Sequence, residues 1–263
     1  MRLLPGKLFL ALGLAVLAAC ATTPMGRQQL ILVSDADMDR MGATAFAQIK
    51  SSGRLADDPA RARYVNCVAR ALIDQLPEPA RSQSWEVALI ADDSPNAFAL
   101  PGGKVGVHTG LLKIATDQDQ LSAVIGHELG HVISRHAAER VSQQFATEAA
   151  LRAVNSATGG ERQQLLGLLG AGAQAGIVLP FSRRHESEAD VLGQRYMASA
   201  GFDPRAAATL WQNMIRAGGA RAPAFLSTHP DPQQRIAALA AAAPGLMPVY
   251  EQARSAGRRP NCS

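Results

Sequence analysis

The chain has 263 residues, of which 47% are hydrophobic and 18% are charged, and its formal net charge is +4. This length suffices for one large domain with a core that needs no disulfides. The sequence has no run of Lys and Arg and no basic patch interleaved with aromatic residues, so it lacks the features that predict a nucleic-acid partner.

The N-terminus has the pattern of a bacterial lipoprotein signal. Arg2 and Lys7 precede an apolar run, residues 8–19, which is shorter than the roughly 20 residues that span a bilayer. The run ends in small residues before Cys20, where such a signal is cut and the new terminal cysteine is acylated. Ala21 rather than Asp follows, which predicts an outer-membrane lipoprotein facing the periplasm. An ordinary signal peptide with a chance cysteine is the alternative.

Cleavage before Cys20 divides the chain into four predicted parts. These are a signal peptide at residues 1–19, a lipidated N-terminus and tether at 20–33, a main domain at 34–245 and a C-terminal tail at 246–263.

Two cysteines remain after Cys20 is assigned to the lipid. In an oxidising periplasm Cys67 and Cys262 are a reasonable disulfide pair that would attach the tail to an early helix. Two free thiols are the alternative, because a sequence cannot show that two residues meet.

The first half of the main domain predicts two helices and a small sheet. Apolar residues recur at helical spacing in residues 34–50 and 59–76. Alternation in residues 85–89 predicts a half-buried strand. Residues 98–100 and 104–108 then flank a Pro-Gly-Gly turn, which predicts a strand pair. We expect a small antiparallel sheet, with His108 near it in a structural role.

The second half is predicted to be mostly helical. A helix begins at Asp117 or Asp119 and runs through Arg140. The glycine-rich segment 165–180 favours a closely packed helix over a membrane span. Asp203 is expected to cap a further helix with Pro204 at its first position. An interruption at residues 227–232 precedes a final Ala-rich helix.

His127-Glu128-Leu129-Gly130-His131 has the His-Glu-x-x-His pattern of metal-dependent hydrolases. Residues four apart lie on one face of a helix, so both imidazoles can bind one metal ion. Glu128 would lie beside the metal, where a carboxylate can take a proton from water. His136, nine residues after His127 on the same predicted helix, is expected to face away from the metal.

A second pair of residues, Glu186 and Asp190, is also spaced four apart. A third ligand, and a carboxylate that holds a ligating histidine by its far ring nitrogen, would have this form. Glu188 lies off the face of Glu186, and we interpret it as a solvated or supporting carboxylate, with the ligand role as the alternative.

These motifs together resemble the gluzincin metallopeptidases that include HtpX, Oma1, the CAAX prenyl protease, BepA and LoiP. The resemblance extends from about residue 28 to about residue 240. It rests on the two metal motifs, on Phe181-Ser182-Arg183, on the upstream residues Asn96, Ala97, Phe98, Ala99, Leu100, Pro101, Gly102 and Gly103, and on Ser227-Thr228-His229-Pro230. Because the sequence ends soon after His229, we expect it to lack the tetratricopeptide domain of BepA.

The resemblance implies that Glu186 is the third zinc ligand and that Asp190 supports a ligand from outside the metal. It also implies a mostly helical α+β, zincin-type fold with a small sheet bordering the cleft. One zinc ion per chain is expected, although manganese or cobalt can use the same ligands. His229 has three open roles: blocking the metal in a latent state, donating to an oxyanion, or ordering the turn before Pro230.

The sequence thus predicts a zinc endopeptidase of the bacterial envelope with Glu128 as general base. Its substrates would be unfolded or misassembled outer-membrane proteins, bound along the strand at residues 96–100. Two alternatives are a non-catalytic, zinc-stabilised lipoprotein chaperone or scaffold and a zinc amidase that acts on peptidoglycan. The sequence does not give the oligomeric state.

Overall fold

The computed structural model describes residues 20–157, 181–218, 225, 228–229 and 232–262. The predicted signal peptide, the segment 165–180 and residues 227 and 230 lie outside them. The described residues form two compact units, one comprising residues 20–37 and 137–157, the other comprising 38–136 and the residues from 181 onwards. Within the described ranges, no helix combines the length and the hydropathy that a membrane crossing requires.

The prediction of a mostly helical α+β fold is confirmed. In chain order the described residues form β1 (Cys20–Thr22), β2 (Gln28–Leu30), α1 (Asp35–Ser51), α2 (Pro59–Ile73), β3 (Glu86–Ile90), β4 (Ala97–Leu100), β5 (Lys104–His108), α3 (Gln118–Ile133), α4 (His136–Ala157), α5 (Arg183–Ala200), α6 (Ala206–Gly218) and α7 (Pro232–Ser255).

The smaller unit contains β1, β2 and nearly all of α4. The two strands pair antiparallel, so the segment predicted as a tether is a hairpin. Arg27 binds Glu139 of α4 through two hydrogen bonds of 2.7 Å, and the Leu32 amide donates to Ser142 Oγ at 2.7 Å. These partners are 112 and 110 residues apart in sequence, which is why local sequence patterns do not predict the hairpin's attachment.

Helix α3 packs against α2, α5, α6 and β4 of the larger unit. The side chain of Asp117 caps its N-terminus by accepting a hydrogen bond from the Gln120 amide, as the sequence predicts. The helix packs closely on α5, where a Cβ added to Gly193 would lie only 2.7 Å from the His127 nitrogen. Glycine is therefore required at the crossing that brings the two helices together.

The sheet of the larger unit has the order β3-β5-β4. β4 and β5 pair antiparallel, as predicted, but β3 and β5 pair parallel, from Glu86 opposite Lys104 to Ile90 opposite His108. The prediction of a purely antiparallel sheet is wrong because residue alternation carries no information about strand direction. Among the residues that the structure describes, β4 pairs with β5 alone, so it is an edge strand.

Several predicted boundaries shift. α3 ends at Ile133 instead of continuing through Arg140, because Arg135 adopts the left-handed conformation with φ of 55°. α6 begins at Ala206, two residues later than predicted. α7 continues to Ser255 and so crosses the boundary at residue 245 that the sequence indicated between domain and tail.

The C-terminal tail is attached to the larger unit. A disulfide joins Cys67 to Cys262, with 5.6 Å between their Cα atoms. Gln118, at the start of α3, donates to the Pro260 carbonyl at 2.9 Å and accepts from the Cys262 amide at 3.0 Å. The tail is thereby fixed to the N-terminus of the helix that carries the His-Glu-x-x-His motif.

Candidate metal centre and active site

Helix α3 presents two buried imidazoles on one face. His127 and His131 are one turn apart, and their Nε2 atoms lie 3.0 Å from each other. Phe181 stacks on the ring of His131 with 3.9 Å between centroids. Burial lowers the pKa of His131 well below its ordinary value of 6.5, which favours the neutral imidazole that can bind a metal.

Glu186 reaches the same point from the first turn of α5. Ser182 is the N-cap of this helix, and its hydroxyl oxygen accepts a hydrogen bond from the His185 amide. Glu186 Oε2 lies 3.5 Å from His127 Nε2, and Oε1 lies 3.4 Å from His131 Nε2. Burial raises the pKa of Glu186, but hydrogen bonds with three histidines lower it by more, so the group remains a carboxylate.

His229 is the fourth member of the cluster. Its Nδ1 lies 3.2 Å from His127 Nε2 and 3.1 Å from both oxygens of Glu186. Phe225 stacks on its ring at 4.1 Å. His127, His131, Glu186 and His229 each offer one ligand atom, and these atoms lie within 4.8 Å of one another.

The spacing of these atoms fits a small cation. Ligand atoms about 2.0–2.1 Å from a tetrahedral zinc ion lie roughly 3.3–3.4 Å from one another. The separations between the imidazole nitrogens of His127 and His131 and the Glu186 oxygens range from 3.0 to 3.5 Å. Imidazole nitrogen and carboxylate oxygen are both zinc ligands, and manganese or cobalt remains compatible with this set.

Glu128 lies beside this cluster without belonging to it. Its Oε2 accepts from the Ala99 amide at 3.3 Å, and its Oε1 lies 3.5 Å from His229 Nε2. Burial is the largest influence on the Glu128 pKa and raises it. A carboxyl group whose pKa is raised holds a proton more readily than an ordinary glutamate, which suits a group that takes up a proton and passes it on.

Comparison with known proteins shows which family contains this arrangement of residues. The profile of Peptidase family M48 matches residues 59–243, a range that contains every residue of the cluster. The chain belongs to peptidase family M48. The relationship predicted from the two metal motifs is therefore confirmed, and with it the zincin-type class of the fold.

Several curated proteins are similar to this M48 chain. Mitochondrial metalloendopeptidase OMA1 of Schizosaccharomyces pombe is 42% identical over 156 residues, which cover 58% of this chain and 44% of the relative. Beta-barrel assembly-enhancing protease of Escherichia coli is 30% identical over 207 residues, or 75% and 42%. Mitochondrial OMA1 of Bos taurus is 31% identical over 239 residues, or 86% and 45%. The chain spans less than half the length of these three relatives.

In this M48 domain, Asp190 lies behind His127, at the place that the sequence predicted for a supporting carboxylate. Asp190 Oδ1 is 2.9 Å from His127 Nδ1. Arg235 of α7 binds both oxygens of Asp190, and its Nη1 lies 2.7 Å from Glu186 Oε2. Burial raises the pKa of Asp190, but the charge of Arg235 and hydrogen bonds outweigh burial and lower it.

Sequence reasoning missed Arg235. The residue is 5% exposed, and its guanidinium lies over the ring of Trp211 at 3.7 Å. The one signal in the sequence was a lone arginine in an Ala-rich segment shortly after His229. Such a signal gives no partner, because Asp190 is 45 residues away.

The prediction for His136 is wrong, and the interpretation of Glu188 holds only in part. His136 does not face away from the site: it is fully buried, and its Nδ1 lies 2.9 Å from His131 Nδ1. The angular argument failed because α3 ends before His136 and the left-handed Arg135 redirects the chain. Glu188 is a supporting carboxylate, buried rather than solvated, and lies 2.9 Å from His136 Nε2.

The remaining predicted residues lie in or next to strands β4 and β5. Asn96 accepts a backbone hydrogen bond from His108, and Ala97 to Leu100 form the edge strand next to α3. His108 belongs to a separate cluster, where its Nδ1 is 2.9 Å from Ser94 Oγ. This position agrees with the structural role expected for His108.

Proposed function

We propose that this M48 protein is a zinc-dependent endopeptidase of the bacterial envelope that cleaves unfolded or misassembled outer-membrane proteins. The observation that carries the proposal is the convergence of His127, His131 and Glu186 on one point, with Glu128 between that point and an open strand edge. We assign the first three as metal ligands and Glu128 as general base.

The chain's own residues supply the proton transfers of peptide hydrolysis. A bound zinc ion supplies Lewis-acid chemistry, by acidifying water and polarising a carbonyl group. Glu128 takes one proton from the attacking water as the carbon–oxygen bond forms, and delivers it to the amide nitrogen as the carbon–nitrogen bond breaks. Asp190 holds His127 through Nδ1, so that its Nε2 faces the metal position.

The edge of β4 supports an extended polypeptide as substrate. The Ala99 amide donates to Glu128. Because hydrogen-bonded pairs alternate along an antiparallel ladder and His108 donates to the Asn96 carbonyl, Ala99 and Val105 form a non-hydrogen-bonded pair, so the Ala99 amide points away from β5 and towards the catalytic carboxylate. A peptide that adds to this edge is bound through its main chain, which reads backbone more than side chains. Unfolded segments present such a backbone along their whole length, which is why we propose unfolded or misassembled substrates.

The envelope location is supported by the sequence pattern that ends at Cys20. The Escherichia coli relative is named beta-barrel assembly-enhancing protease, and this name supports our proposal that the substrates are outer-membrane proteins. The OMA1 relatives are mitochondrial by name, so they give no support for an envelope location. Cell fractionation of wild type and of Cys20→Ser tests the anchor: we expect wild type to associate with the membrane and the Cys20→Ser protein to be released.

The activity is tested with the exported protein supplied with zinc. Unfolded casein and peptidoglycan are offered separately to wild type, to Glu128→Gln and to the control Glu86→Gln, a glutamate of β3 whose side chain is 43% exposed. We expect casein cleavage that falls by about 10²–10⁴-fold in Glu128→Gln and persists in the control. Cleavage of neither substrate would favour the scaffold, and muropeptide release alone would favour the amidase.

A further inference from the structure

A second pair of buried residues lies behind the other metal-facing histidine. His131 Nδ1 is 2.9 Å from His136 Nδ1, and His136 Nε2 is 2.9 Å from Glu188 Oε2. His136 is fully buried and Glu188 is 9% exposed. The three side chains thus form a continuous line that begins in the metal cluster and ends on a carboxylate of α5.

The chemistry of a ligand fixes where the protons of this line lie. His131 Nε2 faces His127 and Glu186, so Nε2 is its ligand atom and carries no proton. The single proton of the neutral ring is then on Nδ1 and is donated to His136 Nδ1. His136 must accept at Nδ1, so its own proton is on Nε2 and is donated to the Glu188 oxygen 2.9 Å away.

We propose that His136 and Glu188 are positioning residues that set the tautomer and ring orientation of His131, an inference that rests on the metal site proposed above. A carboxylate commonly supports a zinc-binding histidine directly, as Asp190 supports His127 here. Behind His131 an additional imidazole separates the ligand from its carboxylate. The two histidine ligands of one helix are therefore supported by different chemical arrangements.

Neighbouring residues hold the three side chains His131, His136 and Glu188, which we call the relay, in place. His185 stacks on the His136 ring with 4.3 Å between centroids and 22° between planes, while Phe181 stacks on His131. Arg135 brings His136 to this place by adopting a left-handed conformation that residues other than glycine rarely adopt. An uninterrupted helix would carry the His136 ring away from His131, so the relay depends on the break after α3.

The test is zinc affinity, measured on the full exported protein by competition with a chromophoric chelator. Removing a partner that supports a ligand typically costs about 10–100-fold in metal affinity. We expect a loss of this size in His136→Ala. We expect His136→Asn to restore most of the affinity, because its amide oxygen can accept from His131 Nδ1. The matched control is His108→Ala, a histidine of the same unit that is bonded to Ser94.

The electronic spectrum of the cobalt-substituted protein is a second readout that general destabilisation would not move. We expect its bands to shift in His136→Ala and to return towards wild type in His136→Asn. A folded His136→Ala protein with wild-type zinc affinity and an unchanged cobalt spectrum would overturn the relay. So would a loss of affinity that His136→Asn fails to restore.

A second pair of variants keeps the test decisive if His136→Ala does not fold. Glu188→Gln retains an oxygen that accepts from His136 Nε2, whereas Glu188→Ala removes it. We expect weaker zinc binding in Glu188→Ala than in Glu188→Gln, and equal binding in both would contradict the relay. An incorrect proposal for the metal site would give a different result from an incorrect relay. Wild type would then bind no zinc, or His131→Ala would bind zinc as well as wild type does.

Discussion

Arg235 donates a hydrogen bond to each oxygen of the Asp190 carboxylate, and both bonds are 2.6 Å long. Lysine cannot form this paired contact, because its ammonium group lacks the planar fork of a guanidinium. We expect Arg235→Lys to lower zinc affinity and peptide hydrolysis by about 10–100-fold, through loss of the support for His127. Chelator competition and casein cleavage measure the two effects.

The surface pair of Arg205 and Asp203 provides the matched control. It joins the same residue types, but the Arg205 side chain is 66% exposed and the pair lies outside the metal cluster. Arg205→Lys is expected to leave zinc affinity and hydrolysis unchanged. Equal losses in the two lysine variants would contradict a specific role for Arg235.

The position of His229 predicts that its ring lowers the activity of the metal site. Its Nδ1 lies 3.2 Å from His127 Nε2 and 3.1 Å from both Glu186 oxygens. A fourth ligand at this place would occupy the position that a catalytic site leaves open. We therefore expect His229→Ala to bind zinc more weakly and to cleave casein faster than wild type at saturating zinc. Slower cleavage with unchanged zinc affinity would favour the oxyanion role instead.

Gly193 is predicted to be essential for the contact between α3 and α5. A Cβ at this position would meet the Gly126 carbon and the His127 nitrogen at 2.7 Å, and both belong to the backbone. We expect Gly193→Ala to destabilise the protein by about 1–3 kcal/mol through overpacking. Thermal unfolding followed by circular dichroism measures the loss.

Gly245, within α7, is the control for this substitution. An added Cβ there meets no atom within 4 Å, and alanine is a better helix former than glycine. Gly245→Ala is therefore expected to keep or raise the melting temperature. A fall as large as that of Gly193→Ala would show that close helix packing is not the cause.

The disulfide between Cys67 and Cys262 is predicted to contribute to stability. The cysteines are 195 residues apart, so the bond restricts a large loop of the unfolded chain. We expect the Cys67→Ser/Cys262→Ser double variant to lose about 2–5 kcal/mol of unfolding free energy. Chemical denaturation measures the loss, and a reducing agent should lower the stability of wild type but not that of the variant.

The sequence was most informative where function depends on spacing within one helix. A spacing of four residues predicted that His127 and His131 lie on one face of a helix. The same spacing predicted that Glu186 and Asp190 lie on one face of α5. The β4–β5 hairpin followed from alternation around a glycine turn. In each case the geometry is local, so the order of residues fixes it.

Features that depend on distant partners were not predictable in this way. Arg235 reaches Asp190 from another helix, and Arg27 reaches Glu139 from another segment. The parallel pairing of β3 with β5 cannot be predicted from the alternation of polar and apolar residues in either strand. The predicted direction of His136 was wrong because of one residue. The left-handed backbone of Arg135 ends the helix, so an angle extrapolated along the helix no longer applies beyond it.

The covalent bond at Cys67 and Cys262 encloses every proposed ligand, the general base and the groups that support them. A peptidase that cut its own backbone once between these two positions would therefore keep both fragments joined. Such a nicked molecule would migrate as an intact chain on a non-reducing gel and separate into two bands only after reduction. Self-processing of this protein has to be examined under reducing conditions.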